Sequence, residues 1–513
     1  MKGDVKGVCA GQGIGEKKMG VAEERERERG KNRIWIKNGI VYDPLNGIEG
    51  ERKDIFVENG VIVEELSGKA EKILDVSGKV VLPAGIDAHS HVATFGMNLA
   101  RFLLKFPTVH EIGVSYAKMG FTHVNEPLAT LETACSVHHE LASIPFVDAS
   151  TFTALSLRDF AKEIREGDFE TVRAVFNILA DMTKAIGIKI YDSRVHFEKK
   201  GFFYRDIDMN TCLRFLQKVS EDEGKRKSSG EEKGEGVEEH ETAEDVRMHL
   251  RATPVVLEAP FEELRSFRLA NITAGVDSEE KYENALKFLC GGGLASIAIP
   301  LRTAVCDSCE GTVFIDLGFE KPIVFKRTKP SEVLFALKLA LEAVEEHGSF
   351  TLCSAGSIKE FPKILALLLD RHLREEIIGS LASELPSVEF SLSELVLATR
   401  ANPARLLSLN KGHFGTGAKA DIAIYDISED TKGWELVRGF RECEFLLKCG
   451  DFVVFNRKIV GKNCETQTFF KRASPSDWKI KGVRETLRRI CDSRSFRREN
   501  LCVHECFLKR FNA

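Results

Sequence analysis

The feature that most restricts this chain is the stretch Val80 to Val92, reading VVLPAGIDAHSHV. Three apolar residues, Val80, Val81 and Leu82, run into Pro83 and Gly85, and Ile86, Asp87, His89 and His91 follow. In an extended strand the side chains at i and i+2 share a face, so His89 and His91 aim at a common point. Two imidazoles placed in that way can share a metal ion. A bare H-x-H is more often a pair of polar residues at a strand end. The weight here comes from the setting: a buried apolar run, a turn, a flanking Asp87, and a long stretch of alternating helix and strand behind it.

With 513 residues, 43% hydrophobic and 29% charged, the chain reads as a soluble globular protein of more than one domain, or one large barrel with additions. A net charge of -5 gives no reason to expect nucleic acid or a membrane surface as partner. No apolar run reaches the roughly 18 residues of a membrane-spanning helix. Ala22 to Arg33 is almost wholly charged, not the apolar core of an export signal, so a cytoplasmic location is expected. The 13 cysteines are scattered and odd in number, which suits reduced thiols. Cys306 and Cys309 form a lone C-x-x-C, and Cys491, Cys502, His504 and Cys506 fit no established zinc spacing.

Residues 1–32, rich in Gly, Lys, Glu and Arg, are expected to be a disordered charged extension. From Arg33 the pattern becomes short strands, with hairpin turns expected at Asn38-Gly39 and Asn59-Gly60; residues 33–82 read as the first part of a β-domain. Beyond His91, helices are expected at Glu111–Met119, Leu131–Leu141, Ser156–Arg165, Phe169–Ala185, Pro330–His347 (capped by Ser331) and Phe361–Glu376. Strands are expected at THVNE, IKIY, TPVVLEAP, LASIAIPL and Phe350–Ser354. Gly187 is read as the left-handed stop of the Phe169 helix, and Asn402-Pro403 as a break in a helix pair. Such alternation over 83–412 argues for a parallel sheet with helical crossovers, and the Glu, Lys, Gly and Ser tract 220–245 for a disordered acidic insertion. Residues 413–465 return to strands that would pair with 33–82. Residues 466–513 form a basic tail, read as a solvated helical face. The expected fold is α/β: a (β/α)8 TIM-like barrel with a small composite β-sandwich domain built from both chain ends.

The layout of β-domain, H-x-H, barrel and return to the β-domain resembles the amidohydrolase superfamily. Several stretches are similar in particular to the A-type subunit of formylmethanofuran dehydrogenase: LPAGIDAHSHV, GVSYAKMGFTHVNEP, HHELASIPFVDAS, AIGIKIYDS, VFKRTKPSEVLFALKLALE, FPKILALLLDRHLREE and TRANPARLLSL with GHFGTGAKADIAIYD. The match covers roughly residues 33–465 without the acidic insertion. The resemblance implies a binuclear zinc site that condenses formate with the amine of methanofuran, or hydrolyses the N-formyl product. It also implies metal-ligand roles for His89 and His91, and it makes Lys189 the lysine that carbon dioxide converts to a bridging carbamate.

Beyond those three residues the chain departs from the family's pattern. The family's histidine on the next strand falls in TPVVLEAP, where Glu258 stands, a carboxylate that can ligate zinc. The segment ASIAIPLR carries Ser296 and Pro300 where the second histidine is expected, and the catalytic aspartate position is Ala355. His196, on the loop after Lys189, is a candidate substitute ligand. A catalytic zinc takes about three protein ligands plus water. It lowers the pKa of that water from about 15.7 to about 7, on the order of 12 kcal/mol. The expectation is therefore one zinc ion on His89, His91, Lys189 (carboxylated) and Glu258, rather than two. Three functions follow: an impaired or scaffold-type subunit working with other formylmethanofuran dehydrogenase-type subunits, an active single-zinc formyltransferase or N-formyl hydrolase acting on a small formyl or amine substrate, or another cyclic-amide amidohydrolase. The sequence has no iron–sulfur cysteine pattern, so electron transfer would lie with partner chains.

Overall fold

In β1 (Arg33–Asp43), Ile34, Ile36 and Val41 are buried in a single apolar cluster, with Arg33, Trp35 and Lys37 between and beside the first two partly exposed. β1 pairs antiparallel with β2 (Ile48–Glu58), which turns through Asn59-Gly60 into β3 (Val61–Val63). Asn59 at φ 54° and Gly60 at φ 79° supply the two left-handed residues of a tight hairpin. Asn38-Gly39 differs from the sequence expectation. Asn38 has φ 65°, but the strand continues and the register slips between Ile36 and Gly39, so the pair forms a β-bulge inside β1. β4 (Lys72–Asp75) and β5 (Val80–Pro83) add parallel to β1.

The computed structural model describes residues 32–94, 97–98, 101, 107–190, 207, 209–220, 255–257, 272–274, 279–299, 313–315, 323–325, 330–354, 358–461, 466–493, 502–504 and 508. The expected N-terminal extension and acidic insertion therefore lie almost wholly outside the described residues. So do Cys306, Cys309 and Cys506.

Past Ala84 the chain enters β6 (Gly85–Asp87), the first of eight parallel strands lying side by side in chain order. The others are β7 (Phe121–Thr130), β8 (Asp148–Leu155), β9 (Gly187–Ile190), β10 (Val255–Leu257), β11 (Ile272–Ala274) and β12 (Leu294–Ala298). The separate hairpin β13 (Val313–Ile315) and β14 (Ile323–Phe325) precedes the eighth, β15 (Ser349–Cys353). Sequential parallel order with helical crossovers is the topology of a βα barrel. The two end strands meet through side chains: the Tyr116 hydroxyl reaches Asp87 Oδ2 at 2.6 Å and Ser354 Oγ at 3.1 Å. β8 and β11 had no counterpart among the expected strands. β11 also moves Ser296 one strand further from β10 than the sequence suggested.

The helix Phe169–Met182 buries Val172, Val175, Phe176 and Leu179. It ends before Gly187, and the left-handed residue after it is Lys184, at φ 54°. The stretch expected as one helix over Phe361–Glu376 is two, Phe361–Leu369 and Arg371–Ile378. Asp370 accepts from the backbone N–H of His372 and Leu373 to start the second. Ser331, expected as the residue ahead of the helix, is the second residue of the helix Pro330–Glu345. At Asn402-Pro403 the helix is not broken. Leu392–Val396 runs into a π-turn, Leu397–Ala401, and on into Asn402–Leu406; the wider turn accommodates a proline with no N–H to give.

β16 (Ile422–Tyr425) pairs antiparallel with β5, and β17 (Phe445–Lys448), β18 (Asp451–Phe455) and β19 (Lys458–Ile459) complete a nine-stranded sheet. Both chain ends thus build one continuously bonded sheet. Ile34, Val57 and Val81 share an apolar cluster with Ile422, Ile424 and Leu447. Between sheet and barrel lies a buried ion cluster: Lys411 Nζ is 2.6 Å from Asp148 and 2.8 Å from Asp421, and Lys448 Nζ is 2.6 Å from Asp148. In the basic tail, Val483–Asp492 is an amphipathic helix. It buries Val483, Leu487 and Ile490, and Arg489 grips Glu163 with contacts of 2.6 and 2.7 Å. Among the described residues no helix is long and apolar enough to cross a membrane.

Candidate metal centre

The backbone of β6 ends at Asp87, so His89 and His91 sit on the loop that follows rather than on the strand itself. Their convergence comes from the way this loop is held. Asp87 is fully buried and accepts from the His89 N–H at 3.1 Å and from the Tyr116 hydroxyl, with the Ser354 N–H at 3.4 Å. Burial is the largest influence on Asp87 and raises its pKa, against the pull of these hydrogen bonds. Ser90 donates its N–H and its hydroxyl to the Asn125 carbonyl at 3.0 and 2.8 Å, and Asn125 Nδ2 donates to the Ala88 carbonyl at 3.0 Å. Next, His91 takes φ 47°, a conformation rare and strained for a residue with a Cβ. Ala93 is then fixed by donation of its N–H to Glu126 Oε2 at 2.7 Å.

With the loop so anchored, His89 Nε2 and His91 Nε2 lie 2.7 Å apart, their rings edge-to-face at 72°. His89 is buried, and its pKa is held well below the usual histidine value, first by burial and then by the neighbouring His91 and Lys189. Lys189 is the third residue of β9. Ile188 and Ile190 on either side pack into the main apolar cluster, so the pleat directs Lys189 to the opposite face, where it is only 5% exposed. The structure thus brings His89, His91 and Lys189 to the carboxyl-terminal mouth of the barrel, the face where barrel enzymes keep their chemistry.

Glu258, Ala355, His196 and Pro300 lie outside the described residues. Ser296 is described and buried, and its hydroxyl is 2.7 Å from that of Thr351, so the two satisfy each other. Among the described residues no group of three or more His, Cys, Asp and Glu side chains is arranged to hold a metal. The pair of imidazoles still fits one ion in part. Two nitrogens each 2.0–2.1 Å from a tetrahedral zinc stand about 3.3 Å apart, so the observed pair needs only a small opening.

Glu126 was not among the residues singled out from the sequence. It lies fully buried in β7, with Oε1 3.4 Å from His91 Nδ1, and also accepts the Leu128 N–H at 3.2 Å. The available signal was an acid inside a strand whose first seven residues are all buried, immediately ahead of Pro127.

No family model matches the chain. Protein FwdA of Methanocaldococcus jannaschii is 28% identical over 502 residues, covering 83% of this chain and 88% of that protein. The A-type subunit of the formyltransferase/hydrolase complex Fhc of Methylorubrum extorquens is 24% identical over 498 residues, covering 83% and 89%. Among solved structures, the X-ray crystal structure of the formyltransferase/hydrolase complex (FhcABCD) from Methylorubrum extorquens in complex with methylofuran matches with a TM-score of 0.70 at 20% identity. It covers 92% of this chain and 97% of that one.

Proposed function

We propose that this chain, similar over most of its length to FwdA and to its counterpart in the Fhc complex, is a divergent member of the amidohydrolase superfamily that serves as a subunit of the same type with a reduced metal site, acting as a scaffold or impaired subunit in a cytoplasmic multi-subunit complex. The observation that carries this reading is the convergence of His89 and His91, with Lys189 near enough to act on His89 electrostatically, while Ser296 and Thr351 on β12 and β15 bond each other's hydroxyls. One zinc would be held by the two imidazoles, by Lys189 as its carbamate and by Glu258. Such an ion polarises a carbonyl and makes hydroxide from water near neutral pH. The chain's own contribution is to present the imidazoles from a clamped loop. No aspartate stands at Ala355 to take the proton. Support for partner subunits comes from the solved match, a complex described as FhcABCD.

Metal analysis of the purified chain, with affinity capture from its native host, tests the reading. One zinc or none per chain, together with co-purifying subunits of a formyl-transferring complex, is the expected result. Two zinc ions per chain would refute the reduced site, and a chain that purifies alone would refute the scaffold role. A single-zinc N-formyl hydrolase is the second reading, favoured by the strained backbone at His91. Turnover of an N-formyl amine that vanishes in His89→Ala would decide for it.

A further inference from the structure

We propose that Glu126 is the positioning residue for His91: its carboxylate faces Nδ1 as a hydrogen-bond acceptor, keeps the hydrogen on that nitrogen, and so presents the Nε2 lone pair to the point that His89 Nε2 also faces. This rests on the reading above that the two imidazoles face a common ligand. Its physical basis is local to β7 and the loop. A carboxylate with no exposure must have its acceptor positions filled. Two of those of Glu126 go to backbone, the N–H of Ala93 on Oε2 and the N–H of Leu128 on Oε1. Oε1 also faces His91 Nδ1 at 3.4 Å, longer than a closed hydrogen bond and of the kind that tightens when a site is filled.

The same carboxylate therefore acts on His91 twice. Through Ala93 it pins the chain two residues beyond, which helps hold His91 at φ 47°. Through Nδ1 it selects the tautomer. A neutral imidazole carries one N–H, and the nitrogen facing an anion keeps it, leaving the other as acceptor. With His91 fixed as the Nδ1–H form, the 2.7 Å gap between the Nε2 atoms holds one hydrogen donated by His89, and opening it to about 3.3 Å admits a cation instead. Carboxylates standing behind a ligating imidazole in this way typically change metal affinity by 10–100-fold when removed.

The test uses the full chain with 15N-labelled histidine, treated with a chelator, and His91 assigned by the signal lost in His91→Gln. Long-range 1H–15N spectra at neutral pH should show His91 as the Nδ1–H tautomer. In Glu126→Gln the amide NH2 can donate to Nδ1, and the tautomer should invert or become mixed. Zinc affinity by calorimetry should fall 10–100-fold in parallel, while Glu126→Asp, which keeps the charge, should restore part of both. His91 found as the Nε2–H form in the unmutated chain, or unchanged in a folded Glu126→Gln, overturns the assignment. If the unmutated chain binds no zinc but shows the Nδ1–H tautomer, and Glu126→Gln inverts it, the positioning role stands and the metal reading falls.

Discussion

Tyr116 donates its phenolic hydrogen to Asp87 at 2.6 Å with both side chains out of solvent. A helix residue thus holds the carboxylate from which the histidine loop hangs. Tyr116→Phe keeps the ring and deletes this bond together with the one to Ser354, leaving a buried carboxylate short of a donor. Such losses cost about 1–3 kcal/mol. The expected outcome is a stability loss of that size in urea unfolding, with the secondary structure unchanged by circular dichroism.

His138 gives the folded state a specific pH dependence. It is fully buried, with Nε2 2.9 Å from the Thr183 carbonyl and no hydrogen-bond partner at Nδ1, and burial brings its pKa down to about 4. An unfolded histidine titrates near 6.5. Between these values the unfolded chain takes a proton that the folded chain refuses, so stability falls as pH drops from about 6.5 toward 4. The contribution of this one group reaches about 3 kcal/mol at the acid end. His138→Gln, which keeps a donor for Thr183, should flatten the stability curve measured by urea unfolding over pH 4–7.

The buried ion cluster predicts a large effect from one substitution. Lys411→Met removes the cation lying between Asp148 and Asp421, while Lys448 stays on Asp148. Breaking one partner of a buried charge network costs about 3–5 kcal/mol. Both carboxylates are held below the usual range, with Lys411 the leading charge that opposes their burial. Their stabilisation is present above the unfolded carboxylate pKa and is lost as pH falls through the folded one. Lys411→Met should therefore be most destabilising near neutral pH, and the deficit in urea midpoint should narrow in acid as the carboxylates protonate.

Gly120, in the turn leading into β7, packs against β16 of the β-domain and cannot take a side chain. Its φ is 80°, and a Cβ there would overlap the Tyr425 hydroxyl and Ala423. Gly120→Ala combines backbone strain with overpacking and should cost at least about 2 kcal/mol, read as a lowered melting temperature.

The parts of the fold that the sequence made legible are those whose pattern has one physical meaning. Asn59-Gly60 must turn, and the apolar face of Phe169–Met182 must be buried. Where one pattern serves two structures, sequence reasoning chose wrongly. Asn38 uses its tolerance of positive φ for a bulge, and Lys184 ends a helix in a conformation usually left to glycine. β8 escaped notice because its sequence, DASTFTAL, buries Asp148, Ser150, Thr151 and Thr153 and so lacks the apolar run that marked the other buried strands. Of the candidate site, the H-x-H spacing was readable. Glu126 was not, because its role depends on a loop from another strand folding back over β7. The lysine carried meaning only through the resemblance.

β5 has its antiparallel neighbour β16 at the far end of the barrel, Val80 lying opposite Tyr425. During synthesis that edge of β5 therefore stays bare until the entire barrel has left the ribosome, an unsaturated ladder beside a growing chain. The order of assembly is thereby constrained: the eight parallel strands must gather while the sheet that launches them is still unfinished, and the last strands to emerge latch both ends at once.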